Sequence, residues 1–282
     1  CLDCHLGSAD GGQFVNHRIM AAGHPRISFE LDLFTTLQAH HDEDADYAQR
    51  KGKTNGVRVW AVGQAMALER ALGLYSNPGL GSEGAFPEFT FFDCHSCHRR
   101  IFDSQAFNQT AADNPGRPIP VGVPPFNDEN MIMLSAAARI AAPGLAARFE
   151  ADSKAFHAAV ARDRSSAVAA GGKLRASAAA LSLAFQSASF DRAQTFAIID
   201  LTASEAINPR FTDYEGSVQA VMAADTLLNA LVNGGQVPGG NAAAIRSEIN
   251  RAYAAVRDPN DYRPAEFRRA LGNAVRTIRT LR

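Results

Sequence analysis

Cys94-His95-Ser96-Cys97-His98 repeats the spacing of Cys1-Leu2-Asp3-Cys4-His5, and the two runs together use all four cysteines of the 282-residue chain. The pattern is C-x-x-C-H, the attachment signature for haem of the c type. Two thiols add across the two vinyl groups of one porphyrin, and the two-residue gap sets their separation. The histidine that follows then reaches the iron from the proximal side. Cys1, Cys4, Cys94 and Cys97 are therefore the expected attachment points for two covalent haems c, with His5 and His98 as proximal ligands. A module organised around two such groups packs on porphyrin as well as on side chains, so little regular structure beyond helices is expected in it.

Other uses of paired cysteines fit less well. A four-thiolate zinc site places its pairs roughly 15–20 residues apart, and the gap from Cys4 to Cys94 is far longer. It also leaves the histidine after each pair without a purpose. A disulfide across C-x-x-C closes too small a loop to constrain the chain much. A dithiol redox motif belongs to a βαβ setting, of which the sequence has no sign.

Composition bounds the rest. The chain is 46% apolar and 20% charged, as expected of a globular protein with a sizeable core. A net charge of -1 offers no electrostatic footprint for nucleic acid. No run approaches the roughly 18 apolar residues of a membrane span. The alanine-rich stretch 136–147 is interrupted by Arg139, Pro143 and Gly144. There is no phosphate-binding glycine loop, nucleophile elbow or H-E-x-x-H.

Haems that only carry electrons need a sixth ligand, and six histidines remain: His17, His24, His40, His41, His95 and His157. His24 stands out as a distal ligand. Gly23 before it permits an unusual turn, and Pro25 after it suits the first position of a helix, so the imidazole sits on a rigid corner. His17, seven residues earlier, falls two helical turns away on nearly the same face. The spacing predicts a helix from Pro25 to His41, with Ile27, Leu31 and Phe34 on one stripe that His41 continues. His40 follows the adjacent stripe of Phe29, Leu33 and Leu37, and either histidine could be a ligand. His95, between the haem cysteines, can reach solvent or a propionate but hardly its own iron. His157 reads as structural or exposed. Arg26 could pair with a propionate, and Phe89-Thr90-Phe91-Phe92 could wall the second haem.

The run from Cys1 through Asn16-His17-Arg18-Ile19-Met20-Ala21-Ala22-Gly23-His24-Pro25-Arg26-Ile27-Ser28-Phe29-Glu30-Leu31 resembles the multihaem cytochromes related to cytochrome c554. The resemblance covers about residues 1 to 100. It implies closely stacked haems, mostly with two histidine ligands, that pass electrons along a chain; related multihaem proteins assemble into extracellular filaments. It further implies that His17 and His24 are ligands, with one of His40 or His41. The chain departs from the family in having only two haem motifs. A haem cysteine at position 1 also leaves no room for an export signal, so the native chain is expected to continue upstream.

Residues 57–74, around Trp60, Val62 and Met66, read as a helix, and the Gly- and Pro-rich stretch 76–90 as the loop that leads to the second motif. A proline-rich extended segment ends at 126, where a domain boundary is expected. Residues 127–282 then read as helical throughout. Apolar stripes run through Leu145, Phe149, Phe156 and Val160; through Leu174, Ala178, Leu181 and Phe185; and onward to Phe267, Leu271, Val275 and Ile278. Gly171-Gly172, Gly234-Gly235 and Gly239-Gly240 are expected to break them apart. The expected fold is thus mainly α: a dihaem module over 1–126, then an antiparallel α-helical bundle over 127–282 without haem. The expected function is electron transfer with bis-histidine haems, periplasmic or extracellular, toward redox protein partners or neighbouring haem subunits in an assembly or filament. A dihaem enzyme with one open iron, such as a peroxidase, is the alternative.

Overall fold

The computed structural model describes residues 2–9, 13–24, 26–38, 42, 44–80, 87–99, 116–120, 123–208 and 213–282. Cys1, Pro25, His40 and His41 lie outside the described residues, so the readings that fall on them are not placed.

The chain is mainly α. A short turn of helix, α1 (Leu2–His5), leads into a two-stranded antiparallel hairpin, β1 (Gly7–Ser8) and β2 (Gln13–Phe14). Gly7 has φ 121°, and a Cβ there would stand 2.4 Å from the Gln13 carbonyl oxygen, so only glycine allows this hairpin to close behind the first motif. Three short or medium helices follow: α2 (His17–Ala21), α3 (Leu31–Leu37) and α4 (Ala45–Lys51). The long helix α5 (Gly56–Ser76) covers the span expected around Trp60, which is fully buried.

The remainder is a succession of helices: α6 (Glu129–Ala141), α7 (Pro143–Val160), α8 (Arg164–Ser187), α9 (Arg192–Ala206), α10 (Tyr214–Asn233), α11 (Gly239–Ala255) and α12 (Pro264–Arg279). Short connections return helices alongside their predecessors, so α7 packs on α8, α9 on α10 and α11 on α12. Leu174, Ala178, Leu181 and Phe185 are all fully buried, as their spacing requires. Helix α5 packs chiefly against α8. One apolar cluster includes Phe14, Trp60 and Phe91 together with Phe156 and Leu227, so the packing runs across residue 126. Among the described residues no helix is long and apolar enough to cross a membrane.

Two expected helix boundaries move. Gly171-Gly172 does not break the chain; α8 runs through it and begins instead at the Asp163 cap, whose carboxylate accepts from the Ser166 amide. A Cβ at Gly171 would touch the Phe156 ring at 3.4 Å, so that glycine serves close approach of α7 to α8. The helix expected from Pro25 starts at Leu31. Residues 26–30 are extended because their polar groups are taken by α10. Ser28 Oγ donates to Glu215 at 3.1 Å and Gln219 Nε2 donates to the Phe29 carbonyl at 2.9 Å. The buried Glu30 carboxylate then caps α3, accepting from the amides of Asp32 at 3.0 Å and Leu33 at 2.6 Å.

Burial pushes the Glu30 carboxyl up to about 7, against the pull of those two amides. The folded value lies above the ordinary 4.5. Its stabilising contribution is therefore complete below about 4.5 and is lost as pH rises through about 7. Glu30→Gln removes that titration. The melting temperature of the variant is expected to gain on the parent between about pH 5 and pH 8; a constant offset across this range would contradict it.

Candidate functional site

The described part of the first C-x-x-C-H run, Leu2–His5, and the second run each wind into a helical turn. In the first, α1 ends on His5 and the Leu6 amide donates to the Leu2 carbonyl at 2.9 Å. Arg70 of α5 clamps this turn through an ion pair with Asp3 and a 3.0 Å bond to the Gly7 carbonyl. The His5 ring stacks on Phe29 with centroids 5.6 Å apart. Cys4 is exposed. In the second, Cys94–Ser96 form a single tight turn, and the His98 amide donates to the Cys94 carbonyl at 2.8 Å.

The second turn is anchored by one buried carboxylate. Asp93 Oδ1 accepts from the Ser96 amide at 3.1 Å. Asp93 Oδ2 accepts from the amides of Tyr214 at 2.6 Å and Glu215 at 3.0 Å. One side chain thus caps the Cys94–Ser96 turn and the N-terminus of α10 together. The strap before it pairs with the segment that leads into α6: the Asp93 amide donates to the Pro125 carbonyl, and the Asn127 amide to the Phe91 carbonyl. Burial first, then the carboxylates of Asp213 and Glu215, push the Asp93 carboxyl well above the ordinary range.

His17 meets the second motif across the chain. The side chain of Asn16 caps α2, and the His17 amide donates to Glu88 Oε1 at 2.8 Å. The other oxygen of Glu88 accepts from the Thr90 amide at 2.8 Å, and Thr90 Oγ1 donates to the Val15 carbonyl at 3.0 Å. These bonds lock 15–17 to 88–90. They leave the His17 and His98 rings 6.0 Å apart, centre to centre, tilted by 37°. Phe89, 58% exposed, stands edge-on to His17, and Ile19 nearby in sequence is 39% exposed.

A metal–nitrogen bond of about 2 Å plus about 1 Å from nitrogen to ring centre puts two axial imidazoles about 6 Å apart across one iron. The His17–His98 spacing fits that requirement, and the exposed Phe89 edge supplies apolar surface beside it. The donor set of the second motif (two cysteines, His98 and His17) therefore suits a haem with two histidine ligands.

The other expected residues are placed differently. His24 is exposed after a turn at Gly23, whose φ of 96° is the unusual conformation its position suggests. Helix α2 ends at Ala21, so His17 and His24 do not share a helical face. His24 stacks on no other ring among the described residues. His95 does not reach solvent: it is 2% exposed, its Nδ1 lies 2.6 Å from the Pro259 carbonyl oxygen, and its ring meets Tyr262 edge-on. His157 is buried 3.2 Å from Asp128. Phe91 joins Tyr75 and Phe126 in the core, so the aromatic run is split between core and surface. Arg26 is buried too. It pairs with Glu215 at 2.6 Å, donates to the Thr90 carbonyl, and lies 4.0 Å from Cys94 Sγ. Burial, with Glu215 beside it, raises the Cys94 thiol above its ordinary range, so the free side chain is uncharged.

Glu88 and Asp93 position the site but carry no sequence signal for it, because each acts on a segment 71 residues or more away. Among the described residues no three or more His, Cys, Asp or Glu side chains gather to hold a bare cation. No family model, curated protein or solved structure matches the chain.

Proposed function

We propose that this chain is a c-type cytochrome with two covalent haems that transfers electrons on the outer side of the cytoplasmic membrane. The two C-x-x-C-H runs, which use every cysteine of the chain, carry the reading. A bound haem supplies a one-electron couple. Cys94 and Cys97 would hold the second haem, and His98 and His17 would ligate its iron; their 6.0 Å spacing supports this pairing. Cys1 and Cys4 hold the first, with His5 beneath it and His24 or one of His40 and His41 as the distal partner. Two histidines keep an iron saturated and its potential lower than a His/Met pair would. The chain's partners on this reading are redox proteins or neighbouring haem subunits.

The test is production in a host that attaches haem c, followed by an intact mass and a reduced absorption spectrum. Two thioether-linked haems are expected; a bare chain under those conditions overturns the proposal. His17→Ala is expected to turn one of two low-spin ferric haems high-spin while both stay attached. Two low-spin signals in that variant would sink the His17 assignment. A high-spin signal that binds small ligands in the parent protein would mark an enzyme instead.

A further inference from the structure

Glu129, at the first position of α6, is 4% exposed and takes no part in the haem site. Its Oε1 accepts from the Asn127 side chain at 3.3 Å, and its Oε2 is buried with no hydrogen-bond partner. It lines a small, partly open pocket of about 40 Å³ together with Leu6, Phe14, Phe91, Phe126, Arg26 and Asn130. Leu6 directly follows His5, and Phe91 lies in the strap to Cys94, so the cavity lies between the two motifs. A water needs about 10–15 Å³ of such space, so a pocket that Glu129 lines has room for one.

We propose that Glu129 is a proton-binding site coupled to haem reduction: as the haem on Cys94 and Cys97 takes one electron from a one-electron donor, Glu129 takes one proton from solvent, and it releases that proton on oxidation. The proposal rests on the haem reading above. The coupling runs through Arg26, which also lines the cavity, pairs with Glu215 and lies 4.0 Å from Cys94 Sγ. One arginine thus serves two buried acids. Ferric haem carries one positive charge more than ferrous haem, and buried ionisable groups nearby feel that difference more than groups in water do. With the haem reduced, Arg26 alone cannot offset both carboxylates, and the one with an unpartnered oxygen takes the proton.

The groups that face Glu129 agree with this sign. Burial first, then Glu215 of α10, push its carboxyl up to about 8; Arg26, Asn127 and Gln219 oppose them. Asn130 on the same helix is held by Gln64 of α5, and both are neutral. Asp93, whose own carboxyl is raised by burial, accepts from the Glu215 amide at the start of α10. Arg117 pairs with Asp128 and Asp213, and its charge also bears on Asp93.

The test is a spectroelectrochemical titration of the full haem-loaded protein between about pH 6 and pH 10, after the haem count has been read from its spectrum. The midpoint of one haem is expected to fall as pH rises through about 8. The limit is one proton per electron, or about 59 mV for each tenfold change in proton activity. Glu129→Gln is expected to load both haems and to lose that dependence. Equal dependence in parent and variant, or none in the parent, overturns the proposal. If the variant does not fold, redox-difference infrared spectra of the parent near pH 8 decide: a protonated-carboxyl band that grows on reduction supports it, and no such band overturns it. A protein without haem fails the reading beneath it, which the initial spectrum reports separately.

Discussion

Replacing Cys94 and Cys97 together with alanine is expected to cut covalent haem from two per chain to one, while the helical fold survives. Thioether formation needs the two thiols, and nothing else in this segment can replace them. The strap is fastened by other groups: Asp93 to the start of α10, the Phe91 and Asp93 backbone to 125–127, and the Phe91 ring to Tyr75 and Phe126. Cys97 is exposed and Cys94 half-buried, so their loss removes little packing. Intact mass should drop by one haem, the visible absorption should halve, and far-UV dichroism should keep its helical signal. A variant that still carries two haems would show that Cys94-His95-Ser96-Cys97-His98 is not an attachment site.

The mainly helical class was legible because its signal is local and repeated. Leu174, Ala178, Leu181 and Phe185 recur at helical spacing, and all four are buried where that spacing puts them. Helix α5 around Trp60 was legible for the same reason. The start of α3 was not. The Pro25 to His41 stretch has a helical stripe, yet its first part is held extended by Glu215 and Gln219, nearly two hundred residues away. Periodicity reports one element's own face and is blind to a partner that captures its backbone. Gly171 misleads for a related reason: a glycine that breaks a helix and one that admits a neighbouring ring look alike in sequence. At the candidate site the cysteines and histidines are visible as residue types at fixed spacing. What sets His17 against His98 is a chain of bonds through Glu88 and Thr90, and such pairs have no spacing to recognise. The acids behind Cys94 are hidden likewise, since charged residues are expected at the surface unless they are paired, and their partners come from four separate segments.

That buried charge is also where the fold is most open to attack. Arg117→Leu is expected to destabilise the protein by about 3–5 kcal/mol. The Arg117 side chain is 8% exposed and holds two carboxylates at once. Nε and Nη2 bond Asp128, the latter at 2.9 Å, and Nη1 bonds Asp213 at 2.6 Å. It thereby ties residues 116–120 to the starts of α6 and α10, beside which the strap of the second C-x-x-C-H run is fastened. Leucine fills much of the volume but leaves two buried acids without their arginine, with only the His157 ring 3.2 Å from Asp128 beside them. Arg117 holds the Asp128 carboxyl below its ordinary range, against burial. Asp213 stands above its range even with the arginine, chiefly through burial. Without Arg117 both should lie above their unfolded values, so the variant's stability should be highest in acid and fall as pH rises. Chemical denaturation at about pH 5 and about pH 8 measures this, and the deficit against the parent should be larger at the higher pH. Adding Asp128→Asn and Asp213→Asn to Arg117→Leu should recover part of the loss, because the cost lies in unpaired charge rather than in a missing contact. A deficit that is equal at both pH values and untouched by the two asparagines would assign the role of Arg117 to packing alone.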